Sequence, residues 1–230
     1  SLGLIDEVYL KGRASLISPD KSMGRATPGD PPMKRTWLYG ASDGTEFGTS
    51  HISIIDGEGH AVAMTTTIED GFGARIMTKS GFLLNNELTD FSFAPIDNGK
   101  PVANRVEPGK RPRSSMAPTL VFDSSGKLLA VTGSPGGSQI IGYVAKTLVA
   151  LLDWNMDPQA AVDYPNHGSR NGPTEIEKGT EAEGWSEALK ARGHELRAIE
   201  MTSGIQAILV TRRGLAGGAD SRREGVAIGD

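Results

Sequence analysis

The chain contains no cysteine. Disulfides and thiolate metal sites are therefore excluded, and the redox compartment is left open. Histidine is scarce: His51, His60, His167 and His194 are widely spaced, and no pair has the spacing of a helical zinc motif. Each is most simply a packed or surface residue. No apolar run reaches the ~18 residues of a membrane span. An excess of charge of one sign is missing as well, since 24 basic against 28 acidic residues leave a net charge of −4. That balance makes no electrostatic case for nucleic acid. The nearest approaches to a basic run, Arg212-Arg213 and Arg222-Arg223, read as solvated surface charges. Ser1 to Tyr9 lack the basic start and apolar core of a signal peptide, and the chain is expected to begin inside a larger protein.

What is present is enough for one large domain or two small ones: 230 residues, 37% of them apolar, with 30 glycines that imply many tight turns. Residues 1–48 read as a surface-hugging segment, with a short helix within Leu4 to Ile17 and then a stretch rich in Pro and Gly. Trp37 and Tyr39 are the aromatic residues of a mostly polar run that ends at Phe47-Gly48. At Thr49 the pattern changes. Ser50 to Ile55 alternates, Asp56-Gly57-Glu58-Gly59 supplies a turn, and Ala61 to Ile68 resumes as a β run, which predicts a hairpin. Leu120 to Phe122 and Leu128 to Thr132 predict a second. Ile140, Ile141, Val144, Leu148, Leu151 and Leu152 recur at helical spacing after Gly136-Gly137, in a helix expected to end near Asn155. Pro158 to Val162 and Trp185 to Arg192 predict short helices, and Leu196 to Met201 and Gln206 to Thr211 closing strands. Together these elements indicate an α+β layered domain.

Several segments carry candidate chemistry. Thr49 lies where a loop meets a strand. A threonine there is ordinarily a β-forming residue. Its hydroxyl becomes a nucleophile only if a base takes its proton, and one solution uses the threonine's own α-amine. That solution requires cleavage of the Gly48–Thr49 bond. Thr65-Thr66-Thr67 lies across the hairpin; it is either a threonine-rich strand or the source of a hydroxyl that supports Thr49. Gly133-Ser134-Pro135-Gly136-Gly137-Ser138, between a strand and a helix, fits a tight turn or an oxyanion hole, and it lacks the Gly-Lys-Ser/Thr ending of a phosphate loop. Asn85-Asn86-Glu87-Leu88-Thr89-Asp90 brings two carboxylates together, as a solvated loop or as a site for an ammonium. Ser114 and Ser115, in Arg111 to Thr119, fit turn chemistry or a carboxylate site.

In order along the chain, Thr49-Ser50-His51, Thr67 with Glu69, Asn85-Asn86-Glu87 with Asp90, Arg111-Pro112 with Ser114-Ser115-Met116, Gly133 to Gly137 and Ala219-Asp220-Ser221-Arg222 resemble the small subunit of gamma-glutamyltranspeptidases, members of the N-terminal-nucleophile hydrolase superfamily. The resemblance covers roughly residues 49–230, and residues 1–48 resemble the end of the large subunit, still attached. It implies a four-layer αββα sandwich, self-cleavage before Thr49, and gamma-glutamyl transfer or hydrolysis through a threonyl ester. It also implies a role for each matching residue. Thr49 is the nucleophile and Thr67 its hydrogen-bonding partner. Glu69, Glu87 and Asp90 surround the substrate α-amino group, Ser114 and Ser115 its α-carboxylate, and Gly136 and Gly137 form the oxyanion hole. Glu69 and Glu87 stand where some members have amides. Phe91 to Lys110 lies where some members carry a lid. The implied partners are the large subunit of the same precursor, which contributes an arginine to the carboxylate site, and a gamma-glutamyl small molecule. No metal or other cofactor is implied, and the implied compartment is the periplasm or the exterior. An acylase or a poly-gamma-glutamate transpeptidase on the same scaffold, or an unprocessed non-catalytic homologue, is the alternative.

Overall fold

The computed structural model describes residues 2–32 and 48–229. Trp37, Tyr39 and Phe47 lie outside the described residues. The first helix, α1 (Glu7–Ala14), is started by Asp6, whose carboxylate accepts the Tyr9 N–H at 2.8 Å, and it buries none of its residues. The segment after it lies on the domain surface. Ser22 donates its N–H to the Arg192 carbonyl, and the Asn171 side chain pairs with both the N–H and the carbonyl of Ala26.

Strands β1 (Thr49–Ile55) and β2 (Ala61–Thr67) form the first predicted hairpin, with Asp56 Oδ1 accepting the N–H groups of Glu58 and His60 in the turn. The register sets Thr49 opposite Thr67, His51 opposite Thr65 and Ser53 opposite Ala63. This is the inward face, on which Thr49 and His51 are buried. The other face carries Ile52, Ile54, Val62 and Met64, all between 41% and 50% exposed. The alternation seen in the sequence therefore identifies the strand, but the polar set is the one turned into the protein.

Two short strands, β3 (Ile96–Asp97) and β4 (Lys100–Pro101), tip the loop that follows. Next come β5 (Thr119–Phe122) and β6 (Leu128–Gly133), the second predicted hairpin. The main helix, α2 (Ile140–Leu152), is preceded by a 3-10 turn over Gly137–Gln139. Then follow α3 (Pro158–Asp163), β7 (His167–Gly168), β8 (Thr174–Glu177), α4 (Ser186–Ala191), β9 (Leu196–Ile199), β10 (Gln206–Thr211) and β11 (Gly214–Ala219). The central sheet runs β11-β10-β6-β5, and a smaller one runs β7-β8-β9. In β6 the adjacent residues Ala130 and Val131 are both fully buried. Successive residues of a strand point to opposite faces, so the central sheet is covered on both sides. The β1–β2 hairpin contacts it through β6 and β10, and α2 and α3 pack on β6, β10 and β11. Helices, sheet and hairpin thus make three layers of a mixed α+β domain, with Tyr143, Ala150, Leu151, Ala161, Val162, Met201, Ile205 and Ala207 at the helix–sheet core.

β11 was not expected, because the segment Gly-Leu-Ala-Gly-Gly-Ala has little β propensity. Packing explains Gly218. A Cβ on Gly218 would lie 2.5 Å from the backbone of Pro158, so only glycine lets α3 approach the strand. The Gln159 amide then pairs with Ala219, donating to its carbonyl at 2.9 Å and accepting its N–H at 3.1 Å, which occupies part of the sheet edge.

Arg222 overturns its sequence reading as a solvated charge, since its side chain is only 14% exposed. It bridges the carboxylates of Glu177 and Asp220 and donates to the Val162 carbonyl at the end of α3. Asp220, fully buried, also accepts from the Ser203 hydroxyl and the Ile205 N–H. Lys146, on the buried face of α2, donates to the carbonyls of Ala161, Val162 and Tyr164. Burial pushes its pKa down to about 8. This polar cluster ties the C-terminal end of α3 to the chain that leaves β11. Asp220→Ala leaves Arg222 paired with Glu177 but strips the Ser203 hydroxyl and the Ile205 N–H of their acceptor. Each buried donor left without a partner costs about 1–3 kcal/mol, and the loss is read as a lowered midpoint in denaturant unfolding.

Candidate active site

Thr49 opens β1 and is buried, with 3% of its surface exposed. Its hydroxyl donates to Thr67 Oγ1 at 2.9 Å, and the Glu69 N–H donates to the same oxygen at 2.9 Å. The hairpin register supplies the first bond and the turn out of β2 the second. His51, two residues on, is not a base for this site. Its ring is held by Thr65 Oγ1 at 2.7 Å and Ser53 Oγ at 3.1 Å. It lies against Gly133, where a Cβ would fall 2.2 Å from the ring. Burial pushes its pKa down to about 4, so it is neutral at pH 7.

Arg223 was read from the sequence as a solvated charge, and the structure corrects this too. Its Nη1 donates to the Thr49 carbonyl at 3.4 Å and its Nε to the Thr202 carbonyl at 3.0 Å. Its stem passes Gly204, where a Cβ would lie 2.9 Å from Arg223 Cδ and 2.7 Å from Pro135. One glycine therefore brings the C-terminal arginine and the Gly133–Gly137 loop together beside Thr49.

In that loop, Gly136 (φ 132) and Gly137 (φ 58) both take backbone angles that side chains rarely adopt. A Cβ on Gly136 would also strike the Tyr143 ring at 2.5 Å. Gly137 begins the 3-10 turn, so its N–H has no partner within that turn. A cleft of about 460 Å³ runs along the start of α2 and is lined in part by Arg113, Ser138, Gln139, Tyr143, His167 and Arg170.

Glu69, Glu87 and Asp90 do gather in space. Glu69 has φ 73, a left-handed angle unusual for a residue with a side chain. Its carboxylate accepts from the Asn86 amide and from Thr89 Oγ1. Glu87 and Asp90 bound the 3-10 turn Glu87–Asp90. Burial raises the Glu87 pKa, helped by the negative charges of Asp90 and Glu69. Burial also raises that of Asp90, opposed by Arg113 and assisted by Glu69. Glu87 Oε1 is buried and accepts no hydrogen bond among the described residues. Three acids facing one another suit a cationic group.

Ser114 and Ser115 meet this cluster indirectly. Asn104 donates to the Asp90 carbonyl at 2.6 Å and accepts the Arg113 N–H at 3.0 Å, and Arg113 lies 3.7 Å from the Asp90 carboxylate. Ser114 itself is exposed and accepts the Met116 N–H at 3.2 Å, while Ser115 is half-buried. No hydrogen bond joins either serine to Thr49 among the described residues. Asn86, Asn104 and Arg223 are the site residues that sequence reasoning did not single out. Asn86 stood inside a motif already noted; Asn104 and Arg223 carried no local signal, because their partners lie far along the chain.

A threonine buried at the head of a strand, on a hairpin packed against a second sheet with helices beyond, is consistent with a domain of the N-terminal-nucleophile hydrolase type. Residues 2–230 match the model of the gamma-glutamyltranspeptidase family, and the chain belongs to that family. It is 36% identical to the glutathione hydrolase proenzyme of Bacillus subtilis strain 168, over 99% of this chain and 39% of that protein. It is 31% identical to the acylase ACY 1 proenzyme of Pseudomonas sp. strain V22, over 98% of this chain and 38% of that protein. Among solved structures, the T380A mutant of Helicobacter pylori gamma-glutamyltranspeptidase superposes with a TM-score of 0.67 at 34% identity, covering 75% of this chain and 99% of that one. The chain thus spans about two fifths of the length of these curated relatives.

The acid cluster has a signature in pH. In the folded chain the Glu87 pKa is raised above its ordinary value of 4.5. A raised pKa favours the folded state most when the group is protonated, and that advantage is lost as pH rises through the folded pKa. Glu87→Gln is therefore expected to raise the melting temperature relative to the native protein at pH 7. The difference should shrink to nothing below the ordinary carboxylate pKa, as measured by thermal unfolding across the pH range.

Proposed function

We propose that this chain is the catalytic part of an enzyme that hydrolyses or transfers gamma-glutamyl groups of glutathione-like donors, with Thr49 as nucleophile after cleavage of the Gly48–Thr49 bond. The observation that carries the reading is the buried Thr49 hydroxyl, hydrogen-bonded to Thr67 at the head of β1. Cleavage frees the Thr49 α-amine, which takes the hydroxyl proton as the oxygen attacks the gamma-carbonyl carbon. Thr67 holds the hydroxyl in line. Arg223, on the Thr49 carbonyl, fixes the backbone from the other side. The N–H groups of Gly136 and Gly137 receive the oxyanion of the tetrahedral intermediate. The ester that forms on Thr49 then passes to water or to an acceptor amine.

Glu69, Glu87 and Asp90 hold the donor's α-ammonium. Their crowding supports this role, because a bound cation offsets the burial, and the smaller mutual repulsion, that raise the Glu87 and Asp90 pKa values. Ser114 and Ser115 take the α-carboxylate, with Asn104 and Arg113 holding their segment against Asp90. The outward apolar face of β1 and β2 is the surface on which the large subunit adds the fourth layer, completing an αββα sandwich. The similarity to an acylase proenzyme favours acyl-amide substrates as the second reading. Competition between glutathione and an acyl amide separates the two.

Two outcomes test the scheme. The full-length Thr49→Ala precursor is expected to persist as one polypeptide by intact mass, whereas the native precursor breaks before residue 49. In the complete enzyme, Gly137→Val is expected to lower kcat about 10²–10³-fold, the cost of one misplaced oxyanion donor. Glutamate binding should change far less, because the oxyanion exists only in the transition state.

A further inference from the structure

The bond to be cut is itself part of the sheet. Beyond the Thr49–Thr67 pair, the hairpin continues for one irregular rung. The Gly48 N–H donates to the Glu69 carbonyl at 3.0 Å, and the Ile68 N–H donates to the Gly48 carbonyl at 3.3 Å. Two residues of one strand thus oppose one residue of the other, as in a β-bulge. Glu69 is the residue that takes the left-handed angle, at φ 73. Left-handed angles in residues other than glycine persist where the surroundings over-determine them. Here the constraints are the Asn86 and Thr89 bonds to the Glu69 side chain and the Glu69 N–H on Thr67. Gly48 faces backbone on its open side: a Cβ there would lie 2.5 Å from the Asp70 carbonyl oxygen and 2.8 Å from that of Glu69. Those are main-chain atoms, so no side-chain rotation relieves the clash.

We propose that this bulge is the self-cleavage apparatus: the Ile68 N–H is the oxyanion donor for the Gly48 carbonyl, and residue 48 must be glycine to sit in it. The proposal rests on the reading that Thr49 cleaves its own precursor. The Thr49 oxygen attacks the Gly48 carbonyl carbon, and the carbonyl π electrons move onto the Gly48 oxygen, where the Ile68 N–H awaits them. The C–N bond then breaks. Its electron pair and the hydroxyl proton end on the Thr49 nitrogen, which becomes the free amine. Water hydrolyses the remaining ester to a Gly48 carboxylate and the free Thr49 hydroxyl. This donor is distinct from Gly136 and Gly137, which serve the external substrate. It also belongs to the turn that delivers Glu69 to the acid cluster, so one strained turn serves first the cleavage and then the donor's ammonium.

The test uses the full-length precursor with Ile68 replaced by its α-hydroxy acid, which deletes the N–H and keeps the side chain. Cleavage followed by intact mass is expected to slow about 100-fold or more. Cleavage at the native rate overturns the donor assignment. The Gly48→Ala precursor is expected to slow at least about tenfold, and a native rate overturns the steric requirement. A second readout does not depend on cleavage. In the Thr49→Ala precursor carrying a ¹³C-labelled Gly48 carbonyl, the ester at position 68 is expected to move that carbonyl stretch to higher wavenumber, and an unchanged band overturns the hydrogen bond. A native precursor that never breaks, or a Thr49→Ala precursor that does, overturns the self-cleavage reading and this proposal with it. Native cleavage with unaffected variants overturns this proposal alone.

Discussion

The antiparallel register of β1 and β2 is the constraint on which the site depends. Side chains alternate along a strand, so a slip of β1 by one residue would turn Thr49 and His51 outward together, away from Thr67 and Thr65. The register is pinned from the protein side rather than by the apolar residues. His51 is wedged against Gly133 and bonded to Thr65, and Ser53 reaches the Gln206 carbonyl at 3.5 Å. The inward face of the hairpin is therefore a polar joint against the central sheet. The Thr49–Thr67 pair is the end of a ladder whose position the buried histidine fixes.

From that joint, order spreads to segments distant in sequence. Gly204 allows Pro135 and Arg223 to meet, and Arg223 returns to the Thr49 carbonyl. One residue earlier, Arg222 closes on Asp220 and Glu177, and Asp220 ties Ser203 and Ile205 to the same cluster. The final segment thus acts as a strap across the site. A buried network of this kind is costly when incomplete, because each group left without a partner forfeits its solvation. Adjacent arginines thus serve two places, Arg223 facing Thr49 and Arg222 the core.

Much of the local structure could be read directly. Turn residues at Asp56 to Gly59 and Asp123 to Gly126 sit between β runs that do pair as hairpins, and the apolar spacing after Gly137 does form α2. What escaped the reading has a common cause. In β11, Gly218 is a glycine because α3 lies on it, and that neighbour is about 60 residues away along the chain. Arg222 and Arg223 look like any exposed basic pair until their partners are known, since charge alone does not distinguish a solvated arginine from a buried, paired one. Among the candidate site residues, Thr49 and Thr67 could be paired from the hairpin alone. The meeting of Glu69 with Glu87 and Asp90 requires the turn after β2 to fold back on the Asn86 segment.

The sequence by itself determined the two hairpins, the strands β9 and β10, the main helix, the order of the chemical motifs and, through that order, the gamma-glutamyltranspeptidase family. These follow from short-range periodicity and turn chemistry, which act within a few residues. Only the tertiary structure decided which face of β1 is buried, which arginines are paired, and how the peptide bond before Thr49 is held. Those outcomes depend on contacts between segments up to 174 residues apart, as for Arg223 and Thr49. Such contacts form where burial repays the desolvation of polar groups, and that balance is set by the packed neighbours rather than by the residue or its local pattern.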